Sequence, residues 1–353
     1  REHLGHEGDE LPAPPVKDIR DAMDVLRLRC AELRRAELQA LELPRPLARG
    51  GARPFGGVNV GAGRRRSLRV AVLLAANAEA LSTYQPFINL WRCYAFRHGM
   101  AFILDTDDFH AQELKLKPNW LRWLAARKHI SFFDYLLVVD PDQIIVPECW
   151  NMSVAEVALG LEDSDDDLPD IVLRDVGPPQ TLNNGVVFVR NSPRGSFFLD
   201  LLLAKATWGH TIQHDQGAFD ETVLEVLGLE RPDPERQFLT YDSQCMPSLF
   251  PSLEGHELVA LYAFCWWNEA ERLAGRVGRR RSRVVRFVDP RVLDLNNVVG
   301  TRGTDVPAFL YHFAGRSKEW DRMLDFFGLP RRHTADCAMV FRHVDAAASR
   351  REC

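Results

Sequence analysis

The chain has 353 residues, of which 46% are hydrophobic and 26% charged, as in globular proteins with a sizeable core. Its formal net charge of −5 gives no reason to expect nucleic acid or an anionic membrane surface as a partner. No stretch approaches the roughly 18 consecutive apolar residues of a membrane-spanning helix. Because the chain begins with Arg1, we expect a processed product whose signal or membrane anchor was lost upstream.

The seven cysteines form no C-x-x-C pair, which argues against a structural zinc site. One or two disulfides are compatible with a secretory setting, and buried free thiols are an equal alternative. The spacing does not define the pairing of Cys30, Cys93, Cys149, Cys245, Cys265, Cys337 and Cys353.

Residues 1–66 differ in composition from the rest of the chain. Residues 1–15 are polar and proline-rich, which predicts an extended arm, and residues 44–66 have the Pro, Gly and Arg content of a linker. Between them the spacing predicts an amphipathic helix whose apolar face carries Ile19, Met23, Leu26, Cys30 and Leu33. This segment is either a stem that holds a catalytic domain away from an anchor or docks on a protein partner, or a helix packed on the domain's own surface.

The rest of the chain predicts an α/β fold. Short apolar runs predict strands at 68–76, 100–104 and 135–139, and they alternate with helical stretches at 82–98 and 118–133. This alternation is typical of a Rossmann-like, mostly parallel sheet flanked by helices. Further strands are predicted at 170–173, 185–190, 284–288 and 308–312, helices at 195–206, 215–227 and 319–327, and irregular structure over 229–283.

The sharpest motif is Asp140-Pro141-Asp142, directly after the apolar strand at 135–139. Ligands of open α/β sheets bind beyond the carboxyl ends of the strands. Two carboxylates there suit a hard divalent cation that also holds a diphosphate. The alternative is a plain polar turn at a strand end.

A second motif runs from Leu310 to Lys318. His312 at a strand end could supply a third metal ligand, Gly315 permits close approach of the backbone to a phosphate, and Lys318 could neutralise a diphosphate oxygen. A lone histidine at a strand end is more often structural. The upstream Asp-x-Asp motif favours a metal-binding role for this one.

Two turn-like motifs complete the set. Asn183 and Asn184 could bind sugar hydroxyl groups, although Asn-Asn-Gly is also an ordinary turn before a strand. Asp215, followed by Gln216, could cap a helix or face a sugar ring.

In this order the motifs resemble those of glycosyltransferases with the GT-A fold, and most nearly the galactosyl- and xylosyltransferases of family 34. The resemblance covers about residues 68–327. His214 stands where that family has the first acid of its D-D-Q motif, Arg122 replaces a lysine, and the cysteines of its C-terminal motif are missing. The matching segments are Trp120, Arg122, Arg127 and Lys128; Asp140-Pro141-Asp142; Asn183-Asn184-Gly185; His214-Asp215-Gln216; and Tyr311 to Lys318.

The resemblance implies a GT-A-like domain over 67–330, with a nucleotide-binding half (67–150), a half for donor sugar and acceptor (151–330) and a C-terminal tail (331–353). It implies transfer of a sugar from a UDP-sugar to a glycan or protein acceptor, with retention of configuration. The location that it implies is the secretory pathway, with the Golgi lumen first and an extracellular location as the alternative. It further implies Mn²⁺ or Mg²⁺ at Asp140, Asp142 and His312. Catalysis would involve Asp215 and Gln216, and the nucleotide sugar would contact Ala75, Ala76, Asn77, Arg122, Asn183, Asn184, Gly315 and Lys318.

Two rival interpretations remain at this point. A nucleotidyltransferase could share such a sheet, but the glycine-rich phosphate loop expected after the first strand is replaced by Ala75-Ala76-Asn77. A catalytically inactive relative could instead serve as a structural or assembly subunit, with the N-terminal arm as its working part.

Overall fold

The computed structural model describes residues 68–108, 112, 116–159, 168–177, 180–206, 215–228, 256–274, 282–290, 297–298, 309–313 and 327–348. The arm, helix and linker predicted over 1–66 lie outside these ranges, as do His214, Gly315, Lys318 and nearly all of the helix predicted at 319–327. No helix within these ranges is both long and apolar enough to cross a membrane.

The centre of the fold is a six-stranded sheet with the strand order β2-β1-β3-β6-β5-β7. All its strands run in the same direction except β6, which is antiparallel to both neighbours. The predicted α/β class, with a mostly parallel sheet flanked by helices, is confirmed. Its strands are β1 (Val70–Ala75), β2 (Ala101–Asp105), β3 (Tyr135–Val139), β5 (Ile171–Arg174), β6 (Val186–Arg190) and β7 (Val285–Val288).

A second, three-stranded sheet consists of β4 (Gln143–Ile145), β9 (Leu310–His312) and β8 (Asn297–Val298), with β9 in the middle. The antiparallel pairing of β4 with β9 sets Gln143 opposite His312. Strand β4 was not predicted, because three residues are too few to show a periodicity. The small sheet joins the segment after the D-x-D motif to a strand from much later in the chain.

The described residues form seven α-helices: α1 (Ala78–Arg97), α2 (Leu121–His129), α3 (Val154–Leu159), α4 (Pro193–Ala204), α5 (Asp215–Gly228), α6 (His256–Ala274) and α7 (Cys337–Ala348). The prediction of irregular structure throughout 229–283 is wrong, because α6 occupies part of that range and buries aromatic side chains such as Tyr262 and Trp266. Residues 331–353, predicted to be a tail, contain α7. Capping fixes two of the helix starts: the Asn77 side chain accepts from the Ala80 N–H, and Ser192 accepts from the Gly195 N–H.

The core is centred on the inner strands, whose side chains are buried on both faces. Every residue of β3 is buried, and so are all of β6 except Arg190 and all of β1 except Ala75. Strands that are covered on both faces have continuous runs of apolar residues, without an alternation of apolar and polar residues. For this reason the short apolar runs sufficed to predict them.

Disulfides are present among these residues. Cys93 of α1 is bonded to Cys337 of α7, and Cys149 and Cys265 are also disulfide-bonded. The first bond links two helices that are 244 residues apart in sequence. Of the two alternatives that the sequence left open, disulfides are therefore realised at these positions.

Removing the Cys93–Cys337 bond should destabilise the fold. We expect the double variant Cys93→Ala/Cys337→Ala to lose roughly 2–5 kcal/mol in its free energy of unfolding, because the bond restricts the unfolded chain. Denaturant unfolding monitored by tryptophan fluorescence measures this loss. An unchanged midpoint would show that packing between α1 and α7 suffices without the bond.

Candidate active site

Two polar turns meet at one edge of the main sheet. The last residue of β3, Val139, pairs with Val186, the first residue of the antiparallel strand β6. The turn after β3 and the turn before β6 therefore lie side by side, and the Asp140 N–H donates to the Gly185 carbonyl at 2.9 Å. This is the edge at which the parallel strands end, where ligands of such sheets bind.

The small sheet adds His312 to this edge. The Phe313 N–H donates to the Asp142 carbonyl at 3.0 Å, which holds the end of β9 against the D-x-D turn. As a result, ligand atoms of Asp140, Asp142 and His312 all lie within 4.8 Å of one another. The His312 Nε2 is 3.3 Å from the Asp142 Oδ1. The convergence that the sequence analysis predicted for these three side chains is present.

The donor set fits a divalent cation. Asp142 and His312 are buried, and the Asp140 side chain is 24% exposed, so one side of the cluster is open to solvent. Burial raises the pKa of the Asp140 carboxyl; Arg122 counteracts this effect, and the negative charge of Asp142 adds to it. Two carboxylates held this close repel each other, and a cation such as Mn²⁺ would relieve the repulsion. Carboxylate oxygens with one imidazole suit Mn²⁺ or Mg²⁺, with the imidazole favouring Mn²⁺.

Arg122 of α2 links the cluster to the rest of the site. Its guanidinium, which is buried, donates to Asp140, to the Asn184 Oδ1 at 2.7 Å and to the Asp215 Oδ2 at 2.5 Å. Burial alone would lower the pKa of Arg122, but the Asp140 and Asp215 carboxylates raise it above its ordinary value. Arg122 is therefore a permanently charged bridge between two carboxylates. Its predicted contact with the nucleotide sugar stays a prediction.

Asp215 begins α5 and is buried at the centre of this network. Its Oδ2 accepts hydrogen bonds from Arg122, from the Trp123 indole at 2.9 Å and from the Asn184 amide at 3.1 Å. From the sequence, Asp215 could cap a helix or face a sugar ring. The structure adds a third feature that neither alternative included, the buried ion pair with Arg122. A role in transfer stays a prediction.

Gln216 and Asn183 stabilise the turn before β6. Gln216 accepts from the Asn184 N–H at 3.2 Å and donates to the buried Asp220 Oδ1 at 2.8 Å. Burial raises the pKa of the Asp220 carboxyl well above its ordinary value. The Asn183 side chain accepts from the Gly185 N–H at 2.9 Å. These contacts fix the orientation of the turn that carries Asn183 and Asn184.

The loop predicted to meet the nucleoside follows β1 at the same sheet edge. Ala75 ends β1, the Ala76 N–H donates to the Asp105 carbonyl at 3.0 Å, and the Asn77 side chain caps α1. The capping contact gives Asn77 a structural role. Contact of this loop with a nucleoside stays a prediction.

Sequence reasoning missed three polar residues of this region: Trp123, Gln143 and Asp220. The proximity of Gln143 to Asp142 in the sequence was the only available signal for it. Trp123 was one of two tryptophans at the start of the predicted helix, and nothing in the spacing indicated which indole would reach Asp215. Asp220 follows Gln216 by one helical turn, which is the spacing of a side-chain pair on a helix.

Replacing Asp215 tests the buried pair. We expect Asp215→Asn to lower the free energy of unfolding by about 3 kcal/mol, because Arg122 would lose a buried carboxylate partner. If Asp215 also acts in transfer, turnover at saturating donor should fall by orders of magnitude. The control is Asp200→Asn, which removes the partner of the half-exposed Arg127 and should cost no more than about 1 kcal/mol. An unchanged melting temperature would contradict the first expectation, and unchanged turnover the second.

No protein-family model and no curated protein matches the chain. Among solved structures, the chain is similar to a glycosyltransferase involved in the glycosylation of the major capsid of PBCV-1. The identity is 16% and the TM-score 0.37, and the match covers 74% of this chain and 100% of the other. A similarity this distant carries no argument about activity.

Proposed function

We propose that the protein is a metal-dependent glycosyltransferase, which moves a sugar from a nucleotide sugar to a glycan or protein acceptor. The observation that carries the proposal is the convergence of Asp140, Asp142 and His312 at the carboxyl edge of a mostly parallel sheet. These residues come from two segments of the chain, and the pairing of β4 with β9 brings them together. The finer parts of the proposal, a UDP-linked donor and retention of configuration, rest on the family 34 resemblance of the motifs.

The residues of the site have separate proposed roles in binding the cation, the donor sugar and the diphosphate. Asp140, Asp142 and His312 would hold Mn²⁺ or Mg²⁺, which when bound offsets the negative charge of the leaving nucleoside diphosphate. Arg122 holds the Asp140 carboxyl in place through its direct ion pair and counteracts the effect of burial on the pKa of that carboxyl. Asn183 and Asn184 lie beside the cluster, on the turn before β6, where they would meet the donor sugar. Gly315 and Lys318 belong to the segment after β9 and are proposed to hold the diphosphate.

The disulfides support a secretory location, because such bonds persist in oxidising compartments and are rare in the cytosol. We propose the Golgi lumen, as the resemblance implies, with residues 1–66 as a stem between the catalytic domain and a membrane anchor. No nucleic acid partner is proposed. The alternative is that the protein is an inactive relative that acts as an assembly subunit. A thermal-shift screen with nucleotide sugars distinguishes the two.

The test is a thermal-shift screen of nucleotide sugars with and without Mn²⁺, followed by detection of nucleotide release with candidate acceptors. We expect a UDP-sugar to raise the melting temperature only when Mn²⁺ is present. At a ligand concentration 100 times the dissociation constant, linkage gives a stabilisation of about 2.7 kcal/mol. The absence of any shift across UDP-, GDP- and CMP-sugars would favour the structural-subunit interpretation.

Deleting residues 1–66 tests the stem. We expect the shortened chain to bind a UDP-sugar and Mn²⁺ with unchanged affinity, because every residue proposed to bind either ligand lies after residue 66. Isothermal titration of both chains measures this. Weaker binding by the shortened chain would show that the N-terminal segment contributes to the site.

A further inference from the structure

Gln143 is a buried amide beside the candidate metal site. It directly follows Asp142 and begins β4, and the residue is only 1% exposed. Neither its amide nitrogen nor its amide oxygen has a hydrogen-bond partner in the part of the chain that the structure describes. A buried amide without a hydrogen-bond partner lowers the stability of a folded protein, and such groups are rare. We therefore expect Gln143 to gain a hydrogen-bond partner when a ligand binds.

The neighbour of Gln143 across the small sheet is His312. The two residues are directly opposite in the antiparallel pairing of β4 with β9, so their side chains emerge as neighbours on one face. At Gly185 the absence of a side chain leaves room for both: the Gln143 Nε2 lies 2.3 Å, and the His312 Cε1 3.0 Å, from the point that a Cβ of residue 185 would occupy. The Gln143 amide and the His312 Cε1, which is bonded to both ring nitrogens, therefore approach the same point beside Gly185.

Of the two ring nitrogens of His312, Nε2 faces the cluster, because it is 3.3 Å from the Asp142 Oδ1. A histidine that binds a metal through one ring nitrogen is generally oriented by a hydrogen bond from the other nitrogen to an oxygen acceptor. We propose that Gln143 is a positioning residue of this site, and that its side-chain oxygen accepts a hydrogen bond from the His312 Nδ1 when Nε2 binds the cation. The proposal rests on the proposed function, because it requires the cation.

The test compares Gln143→Met with Gln143→Glu by isothermal titration of Mn²⁺ into the full chain, with and without UDP. Methionine has a similar volume and no oxygen, so we expect 10–100-fold weaker Mn²⁺ binding, the usual loss when such an outer contact is removed. Glutamate keeps an oxygen acceptor in the same place, so it should bind Mn²⁺ at least as tightly as the natural chain. Gln85→Met, at an exposed position on α1, is the matched control and should leave binding unchanged.

The melting temperature of the metal-free protein is the second measurement. We expect it to be equal or higher in Gln143→Met, because an apolar side chain replaces a buried amide without a partner. Gln143→Leu serves as the apolar variant if Gln143→Met does not fold. Equal Mn²⁺ affinity in the apolar variant and the natural chain would overturn the inference and leave the proposed function intact. Weak binding by Gln143→Glu would also overturn it, and failure of the natural chain to bind Mn²⁺ would overturn the proposed metal site together with it.

Discussion

Asp142→Asn should abolish metal-dependent binding of the nucleotide sugar while leaving the fold intact. Its carboxylate is one of the convergent donors, and an amide oxygen is a weaker, uncharged ligand. Loss of an outer contact to a metal ligand costs 10–100-fold in affinity, so loss of a ligand itself should weaken Mn²⁺ binding by at least about 100-fold. Isothermal titration of Mn²⁺ in the presence of UDP measures this, and nucleotide release should fall in parallel.

The metal-free melting temperature should be unchanged or slightly higher in this variant, because the substitution removes a negative charge that faces Asp140. The backbone contact from Phe313 to the carbonyl of residue 142 does not involve the side chain. The matched control is Asp107→Asn, which follows β2 at the same sheet edge and is 50% exposed. Wild-type Mn²⁺ affinity in Asp142→Asn would refute the proposed metal site, whereas equal losses in both variants would indicate a general charge effect.

Arg122→Met should be the most destabilising single substitution in the site. It leaves two carboxylates, Asp140 and Asp215, without their shared cation in a region that is largely buried. Removing one partner of a buried ion pair typically costs about 3–5 kcal/mol, because the remaining charge stays desolvated. Chemical denaturation gives the free energy, and the melting temperature should fall by roughly 5–15 °C.

The control for Arg122→Met lies on the same helix. Arg127 pairs with Asp200 at 2.6 Å, but its side chain is 43% exposed, so Arg127→Met should cost no more than about 1 kcal/mol. A loss of equal size in the two variants would mean that α2 tolerates no methionine, and that burial of the ion pair is not the cause. A small loss in Arg122→Met would show that solvent reaches the network more freely than its burial indicates.

The local elements of the main sheet could be predicted from sequence because each of its inner strands is a short apolar run followed by a polar turn. Helix α6 was not predicted, since its aromatic residues lie between stretches rich in Pro, Gly and Arg. The pairing of β4 with β9 also escaped prediction, because β4 has only three residues and was not predicted as a strand.

The metal-ligand candidates could be named in advance because carboxylates after an apolar strand have a fixed place in α/β sheets. The network behind them could not be named. Arg122 and Asp215 are 93 residues apart, and their ion pair depends on how α2 and α5 pack. The resemblance implied a nucleotide-sugar contact for Arg122 and a catalytic role for Asp215, and the structure adds that the two side chains are paired with each other. Residue type and spacing indicate which interactions a side chain can make. The packing of the helices determines which neighbour it interacts with.

The Cys93–Cys337 bond has a consequence for biosynthesis. With 244 residues between the two thiols, synthesis at roughly 5–20 residues per second separates their appearance by about 10–50 s. During that interval Cys93 must wait as a thiol, while cysteines encoded between the two emerge and compete for it. Correct pairing therefore requires that helix α1 protect Cys93 early or that mispaired bonds be exchanged later. Production of this protein should accordingly depend on thiol–disulfide isomerisation, and its yield should be higher in a host compartment that supplies an isomerase than in one that only oxidises.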